Sequence, residues 1–467
     1  MSGVFIAMPV FRGVDVIEET VRSIVAQTHR DFHLVMSVDG ADDPTLPVCR
    51  RLAADPRIDV VVQTDRLGWP GNLNWLMQAC DREFFCYWQQ DDLASTGYLE
   101  ALLTSLAARP DAAVAYTDVQ WFGAEFRRDS TPSIQGAPLS RVMQHIEAIR
   151  YEPLRGVMRA IWLPDIQDPI PVTRHESHQE EFVFLTRMAR QGSFIRVADA
   201  MYFKRLHDTN TFMRWQRLPE WKRRRGWMSM GAGMWQTASQ LAEEKLRPHV
   251  LAQLIDRLAV ARGERGFFYD TPQTDVSIRN FAREFLAVAS IDSTALDYDP
   301  SEATGLERPV HPAVLEGIAD AREALRAIED LDQLITNHGQ STITGEAISA
   351  TGLLGYGWSH QEDWGVWTNA DEATMHLPKS ASRVEIKGST FPKDRPSRVV
   401  VKTGEGPAIT IEVRAGENTE FLVDLEPGHT SKISFGLPDA TSPAAEGVSD
   451  DQRHLGLGIE QVKFFSD

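Results

Sequence analysis

Cysteine is scarce, with three in 467 residues. Cys49, Cys80 and Cys86 have neither the paired spacing of a disulfide framework nor that of a metal site, which fits a reducing, cytoplasmic setting. No stretch of about 18 apolar residues occurs, so no transmembrane helix is expected. The first apolar run, Val4 to Val10, is too short and lacks the basic flank of a signal peptide. Positive charge is in deficit: 48 Lys and Arg against 66 Asp and Glu give a formal charge of −18. That argues against a nucleic-acid partner, which needs a basic face. No Gly-x-Gly-x-x-Gly follows the first strand and no Gly-Lys-Ser/Thr loop occurs there, which disfavours dinucleotide-binding and P-loop domains. His175, Glu176 and His178 do not make the His-Glu-x-x-His of a zinc hydrolase.

What is present begins with a strand–helix–strand pattern. Val4 to Val10 reads as a buried strand. Val14, Ile17, Val21, Ile24 and Val25 recur at helical spacing, and Phe32 to Val38 is a second strand ending in Asp39-Gly40-Ala41-Asp42-Asp43-Pro44. This is the unit of a parallel sheet. A further apolar run, Phe84 to Trp88, stops at Gln89-Gln90-Asp91-Asp92. Ligands of open α/β sheets bind beyond the carboxyl ends of the strands. Two adjacent carboxylates are tolerable at such an exit when a cation or several donors share them. An acidic turn, or a helix cap before Ser95-Thr96-Gly97-Tyr98, would explain the same pair.

Glu180 and Glu181 precede the apolar helical stretch from Phe182. Either they are first-turn acids favoured by the helix dipole, or one is a base in a partly dry cleft. Arg205 and His207 share a face if they lie on a strand. Arg205 suits a diphosphate, and His207 suits a metal or phosphate; a solvated surface pair is the alternative. Asp118, after Val114-Ala115-Tyr116-Thr117, ends another strand and is expected to border the acceptor side with His178.

Taken in order, these pieces resemble a family 2 glycosyltransferase of GT-A fold over residues 4–210. Pro9-Val10 and the helix Thr20 to Gln27 match its opening. Ser37-Val38-Asp39-Gly40-Ala41-Asp42-Asp43-Pro44-Thr45 resembles its Asp-Asp-Gly-Ser-x-Asp-x-Thr segment. Asn72 and Asn74, after Arg66-Leu67-Gly68, resemble its Asn-containing helix start. Gln89-Gln90-Asp91 stands at its Asp-x-Asp position, Glu180-Glu181 at Glu-Asp, and Tyr202 to His207 at the closing Arg-x-His segment. Val38 and Gln89 depart from the pattern, each replacing the first acid of a pair. The resemblance implies donor contacts by Pro9, Val10, Asp39, Arg66, Asn74, Gln90, Asp91 and Arg205. It implies a divalent cation, Mn²⁺ or Mg²⁺, on Asp91 and His207, and a base at Glu181 beside Glu180.

Beyond residue 213 the texture changes twice. Residues 214–345 are mostly helical. The segment 214–227 interleaves Arg214, Arg217, Lys222, Arg223, Arg224 and Arg225 with Trp215, Trp221 and Trp227. It suits either an anionic membrane surface or polyprenyl-phosphate acceptor, or a helix with a solvated basic face and its tryptophans in the core. Residues 346–467 are short alternating runs separated by Gly, Pro and Asp, the pattern of an antiparallel β-sandwich. Gly355-Tyr356-Gly357-Trp358 and Glu362-Asp363-Trp364-Gly365-Val366-Trp367 resemble a motif of carbohydrate-binding-like sandwich domains. Trp358, Trp364 and Trp367 are candidates to stack on sugar rings or to fill the core.

The expected architecture is therefore three-part: a GT-A domain over 1–213, a helical region and linker over 214–345, and a β-sandwich over 346–467. The expected function is inverting, metal-dependent transfer from a nucleoside-diphosphate sugar, a UDP-sugar favoured, to a glycan or lipid-linked saccharide in bacterial surface polysaccharide synthesis. The expected setting is the cytoplasm or the inner face of the cell membrane. Two alternatives stand beside it. One is a non-catalytic glycan-binding scaffold with a degenerate first domain. The other is a nucleotidyltransferase, for which Met8-Pro9-Val10-Phe11-Arg12-Gly13 is a poor phosphate loop.

Overall fold

The structure is a computed structural model describing residues 3–163, 169–171, 179–207, 217–260, 274–289, 291, 293–298, 309–345, 347–350, 352–404, 407–425 and 432–466. The chain divides into two compact units, Met1–Thr271 and Pro272–Asp467.

The first unit is built on one mixed sheet. Its strands are β1 (Val4–Val10), β2 (Phe32–Val38), β3 (Ile58–Val62), β4 (Phe84–Tyr87), β5 (Leu93–Ala94), β6 (Ala112–Gly123), β7 (Arg128–Asp129), β8 (Val157–Arg159) and β9 (Ser193–Leu206), in the order β3-β2-β1-β4-β8-β6-β9-β5 with β7 on β6. The pairs β3–β2, β2–β1 and β1–β4 are parallel, and Val4 to Val10 run in register with Phe32 to Val38. β8 is antiparallel to both β4 and β6.

Helices α1 (Ile17–Val25), α2 (Leu46–Leu52), α3 (Gly68–Gln78), α4 (Tyr98–Ala108), α5 (Pro138–Ala148) and α6 (Glu180–Gln191) flank the sheet. Val4, Ile6, Met8 and Val10 of β1 share one core with Ile17, Val21 and Ile24 of α1 and with Leu99, Leu102 and Leu106 of α4. Both faces of the central strands are covered, so their side chains are apolar without alternation. This is the sheet and helix arrangement expected of a GT-A domain.

The helical stretch after β9 does not stand alone. Helices α7 (Glu220–Leu241) and α8 (Arg247–Val260) belong to the first unit, α7 packing on α6 and α8 on α7. A Cβ at Gly233 would come within 2.9 Å of the Val183 methyls, so this glycine sets the close α6–α7 crossing. Trp227 is 1 % exposed and donates from Nε1 to the Leu258 carbonyl at 3.0 Å. It is core rather than membrane-facing. Arg214 and Trp215 lie outside the described residues. Among the described residues no helix is long and apolar enough to cross a membrane.

The second unit contains α9 (Asp275–Ala289), α10 (Pro312–His338), the short α11 (Ala347–Ala350) and two antiparallel sheets. One has the order β11 (Trp358–Glu362), β12 (Gly365–Thr368), β19 (Leu457–Phe465), β14 (Arg383–Thr390), β17 (Asn418–Asp424), with β10 (Gln340–Thr344) also on β19. The other runs β13 (Glu372–His376), β18 (Lys432–Gly436), β15 (Ser397–Thr403), β16 (Ile409–Val413). Val384, Ile386, Val462 and Phe464 of the first sheet share a core with Val399, Val401, Ile433 and Phe435 of the second. The β-sandwich expected at this end is there. Leu331 and Ile335 of α10 enter its core, and β10 pairs with β19 along its whole length.

Candidate active site

The exits of the parallel strands are tied together by side chain to backbone bonds. Gln90, beyond β4, accepts from Phe11 N at 3.0 Å and donates to Phe11 O at 2.8 Å, fastening that exit to the end of β1. Gly13 lies flush against it, since a Cβ there would meet Gln90 Oε1 at 2.4 Å. Asp43 accepts from Arg12 N and Thr45 N, both at 2.8 Å. Asp39, 5 % exposed at the end of β2, accepts from Leu67 N at 2.7 Å and Gly68 N at 3.0 Å. Its charge therefore meets the first N–H groups of α3, the end of the helix dipole that favours an anion.

Asp91 and Asp92 follow Gln90 and differ in their partners. Asp92 does not cap α4. Its Oδ1 accepts from Arg205 N on β9 at 2.9 Å, and Oδ2 has no partner among the described residues. Asp91 Oδ2 lies 2.9 Å from His207 Nε2. Burial pushes the Asp91 carboxyl up, but the bond to His207 and the charges of Lys204 and His207 outweigh it and hold it below its ordinary value. Burial and the Asp91 charge push Asp92 up to about 6. Asp91 is thus the anion of the pair, kept so by its cationic neighbours.

Glu180 and Glu181 open α6 without capping it. Glu181 Oε2 is closed off from solvent and has no partner among the described residues. Burial, then the charge of Glu180, raise the Glu181 carboxyl to about 8, against opposing pulls from Arg155 and Lys204. Lys204 of β9 donates to Gln89 Oε1 at 3.4 Å. Its ammonium is lowered by burial and by Arg155, while Asp92, Asp91 and Glu181 all act to raise it. Carboxylates of two chain segments therefore act on one ammonium group.

The remaining expected site residues have partners within the protein. Asp118 is not among this group: it is buried, with Oδ1 held by Arg196 Nε and Oδ2 by Arg128 Nη2, each at 2.5 Å, and these arginines push its carboxyl down. Arg205 sends its guanidinium to Glu19 at 2.5 Å and to the Asp91 carbonyl at 3.1 Å. Asn74 makes a two-point pair with the backbone of Ile170, at 2.7 and 2.9 Å. Arg66 is exposed, beside Asp42 at 3.1 Å, and its guanidinium lies 5.1 Å from the Phe11 ring. His178 lies outside the described residues. Sequence reasoning missed Arg155 and Lys204. Arg155 sits in a segment with no motif; Lys204 falls within the closing segment, at a position its motif leaves open.

The three tryptophans of the second unit also separate. Trp358 donates from Nε1 to Thr374 O at 2.6 Å and packs edge-on against Phe435 of the opposite sheet. Trp367 is 9 % exposed, whereas Trp364 is 37 % exposed, donates to Glu362 at 2.9 Å and stands edge-on to Trp367. Gly458 lies beneath both rings: a Cβ there would meet Trp364 at 2.7 Å and Trp367 at 2.8 Å.

Among the described residues no three metal-binding side chains cluster. The fit to a cation rests on the Asp91–His207 pair. It brings a carboxylate oxygen and an imidazole nitrogen to one point, and a hard cation carried on a diphosphate needs only one or two protein ligands. The residues present are sufficient for that mode.

The chain is similar to several known proteins. A protein of Haemophilus influenzae described as an uncharacterized glycosyltransferase is 22% identical over 207 residues, covering 42% of this chain and 62% of that protein. The chain thus spans less than two thirds of that relative's length. Among solved structures, S. aureus TarS 1-349 in complex with UDP-GlcNAc is similar at 15% identity and a TM-score of 0.49, covering 69% of this chain and 91% of that one. Mannosyltransferase PcManGT from Pyrobaculum calidifontis, in complex with GDP-Man and Mn2+, is similar at 14% identity and a TM-score of 0.41, covering 69% and 87%. The family model for glycosyl transferase family 2 matches residues 5–182, which contain β1, β2, β4 and the Asp39 and Asp91 exits. The first unit of this chain therefore carries a family 2 glycosyltransferase domain.

Proposed function

We propose that the chain is an inverting glycosyltransferase. It takes a sugar from a nucleoside-diphosphate sugar, with UDP favoured, to a glycan or lipid-linked saccharide in bacterial surface polysaccharide synthesis. The observation carrying this reading is that Asp39 and Asp91 stand beyond the carboxyl ends of the parallel strands β2 and β4, with Asp91 Oδ2 meeting His207 Nε2 at 2.9 Å. Asp91 and His207 would hold the divalent cation, Mn²⁺ or Mg²⁺. A cation bound there neutralises charge on the leaving diphosphate. Asp39, Gln90 and the Pro9-Val10 exit form the donor wall, with Arg66 at its exposed edge. Glu181 takes the proton of the acceptor hydroxyl, whose oxygen bonds to the anomeric carbon as the bond from that carbon to the diphosphate oxygen breaks. A single base on the face opposite the leaving group makes one displacement, and so inversion. The second unit is read as a glycan-holding module that raises the local concentration of a polymeric acceptor, with Trp364 as its exposed ring.

The test is release of UDP from a panel of UDP-sugars, with Mn²⁺ and with excess chelator. Asp91→Ala should abolish turnover while the far-ultraviolet circular dichroism stays native. Undiminished activity in chelator would remove the cation from the reaction, and a product of retained anomeric configuration would exclude the single displacement.

A further inference from the structure

Arg155 ends a short 3-10 turn (Glu152–Arg155) just before β8. It is 6 % exposed, and its Nε and Nη1 have no hydrogen-bond partner among the described residues. The backbone leaves it little freedom. The Tyr98 hydroxyl donates to its carbonyl oxygen, and a Cβ on the next residue, Gly156, would meet the Ala115 carbonyl at 2.2 Å. The guanidinium faces the rings of Tyr87 at 5.0 Å and Tyr151 at 5.9 Å. Lys204 Nζ approaches the same Tyr151 ring at 5.6 Å and that of Trp121 at 5.2 Å. Two cations thus approach one aromatic ring, and the turn that carries Arg155 packs against α6, the helix that Glu181 opens, and against β4.

A buried cation held by aromatic faces recovers part of its lost hydration, yet desolvation still costs several kcal/mol when no carboxylate touches it. Packing alone does not require a charge at this position. We propose that Arg155 is a positioning residue for the transfer, supplying the fixed positive charge against which Glu181 ionises, with Lys204 as its titratable partner. The proposal rests on the reading of Glu181 as the base. The groups around Glu181 fit it. Glu180 on the same helix opposes ionisation, and Arg155 and Lys204 favour it. His145 of α5, pushed down to about 4 by burial, is neutral and bonds to the Phe182 carbonyl at 3.3 Å. Helix α7, packed on α6, carries Arg223, Arg224 and Arg225. Arg155 is a permanent cation, and with Lys204 it is one of the two cations acting on Glu181.

The test follows Glu181 directly. The protonated-carboxyl band that disappears in Glu181→Gln is titrated by infrared difference spectroscopy on the full chain without ligands. The expected result is a midpoint about one pH unit higher in Arg155→Met, a tenfold change in proton affinity, and a midpoint within a few tenths of wild type in Arg155→Lys. The acid limb of kcat, read as UDP release from whichever UDP-sugar is turned over, should move by the same amount. A midpoint unmoved in a folded Arg155→Met protein overturns the proposal. A band that moves while the kcat limb does not would retire Glu181 as the base, and Arg155's part in the transfer with it. Should Arg155→Met fail to fold, Lys204→Gln carries the test: its midpoint should also rise, and an unmoved one has the same force.

Discussion

Glu181→Gln should stabilise the first unit at alkaline pH and inactivate it at every pH. In the unfolded chain this carboxyl releases its proton near the ordinary 4.5; in the folded chain burial and Glu180 raise it to about 8. The folded state therefore binds more protons between those limits, and its stability falls as pH rises through the window. A shift of about 3.5 units corresponds to ~5 kcal/mol at 1.36 kcal/mol per unit. Glu181 as a whole residue keeps some exposure, so water reaching the cleft brings this to about 2–5 kcal/mol. Glutamine keeps the volume and never ionises. The unfolding transition of the first unit should then coincide with wild type at pH 4.5 and lie at least ~4 °C higher at pH 8.5, at about 2–4 °C per kcal/mol. Calorimetry of the ligand-free proteins at the two pH values reads this. An equal offset at both, or none at pH 8.5, would refute the reasoning. The same displacement leaves roughly a tenth of Glu181 ionised at pH 7, so kcat of the wild type should climb from pH 6 to 8.

Three further outcomes follow. Asp39→Ala removes the acceptor of two backbone N–H groups at the start of α3; it should cost about 2–3 kcal/mol by denaturant unfolding and weaken UDP binding, and an unchanged midpoint would show those groups solvated. Gly458→Ala should destabilise the second unit by overpacking, about 1–3 kcal/mol, because the added methyl meets two indole rings. Trp364→Ala should leave that unit's melting temperature within a few degrees and lower its affinity for oligosaccharides. A large drop in melting temperature would instead make Trp364 part of the fold.

Much of the fold could be read from the chain because its core strands are covered in the way that leaves the plainest trace. β1, β2 and β4 are buried on both faces, so each is a short apolar run. β14 and β17 are buried on one face and alternate residue by residue. Where the trace failed, the deciding contact was distant or the element too short. β8 has three residues and is recognisable only through its antiparallel partners on either side. The amphipathic helices between the sheets announce an apolar face but not what it meets. Gly233 closing on Val183 commits α7 to the first unit, and Leu331 and Ile335 commit α10 to the sandwich core. Residues 214–345 therefore divide between the units.

The candidate site divides along the same line. Asp39, Asp91 and His207 stand at strand ends, where sequence order alone brings side chains to one edge of a sheet. Asp118 also stands along a strand, but the β6–β9 pairing shifts register between Thr117 and Asp118, and Arg196 of β9 meets it there. That the Asp118 carboxylate is engaged by an arginine of the neighbouring strand is set by strand pairing, which no motif records. Arg155 is the converse case. Nothing at its own position marks it; its environment is made by Tyr87 of β4, Tyr151 and Lys204 of β9, three segments converging from different parts of the chain. In this domain the groups proposed to touch a ligand are the ones a sequence exposes, while the charges that would set their protonation are assembled by the fold. Substitutions at Asp91 and Arg155 should accordingly differ in kind, the first removing turnover and the second moving the pH at which turnover begins.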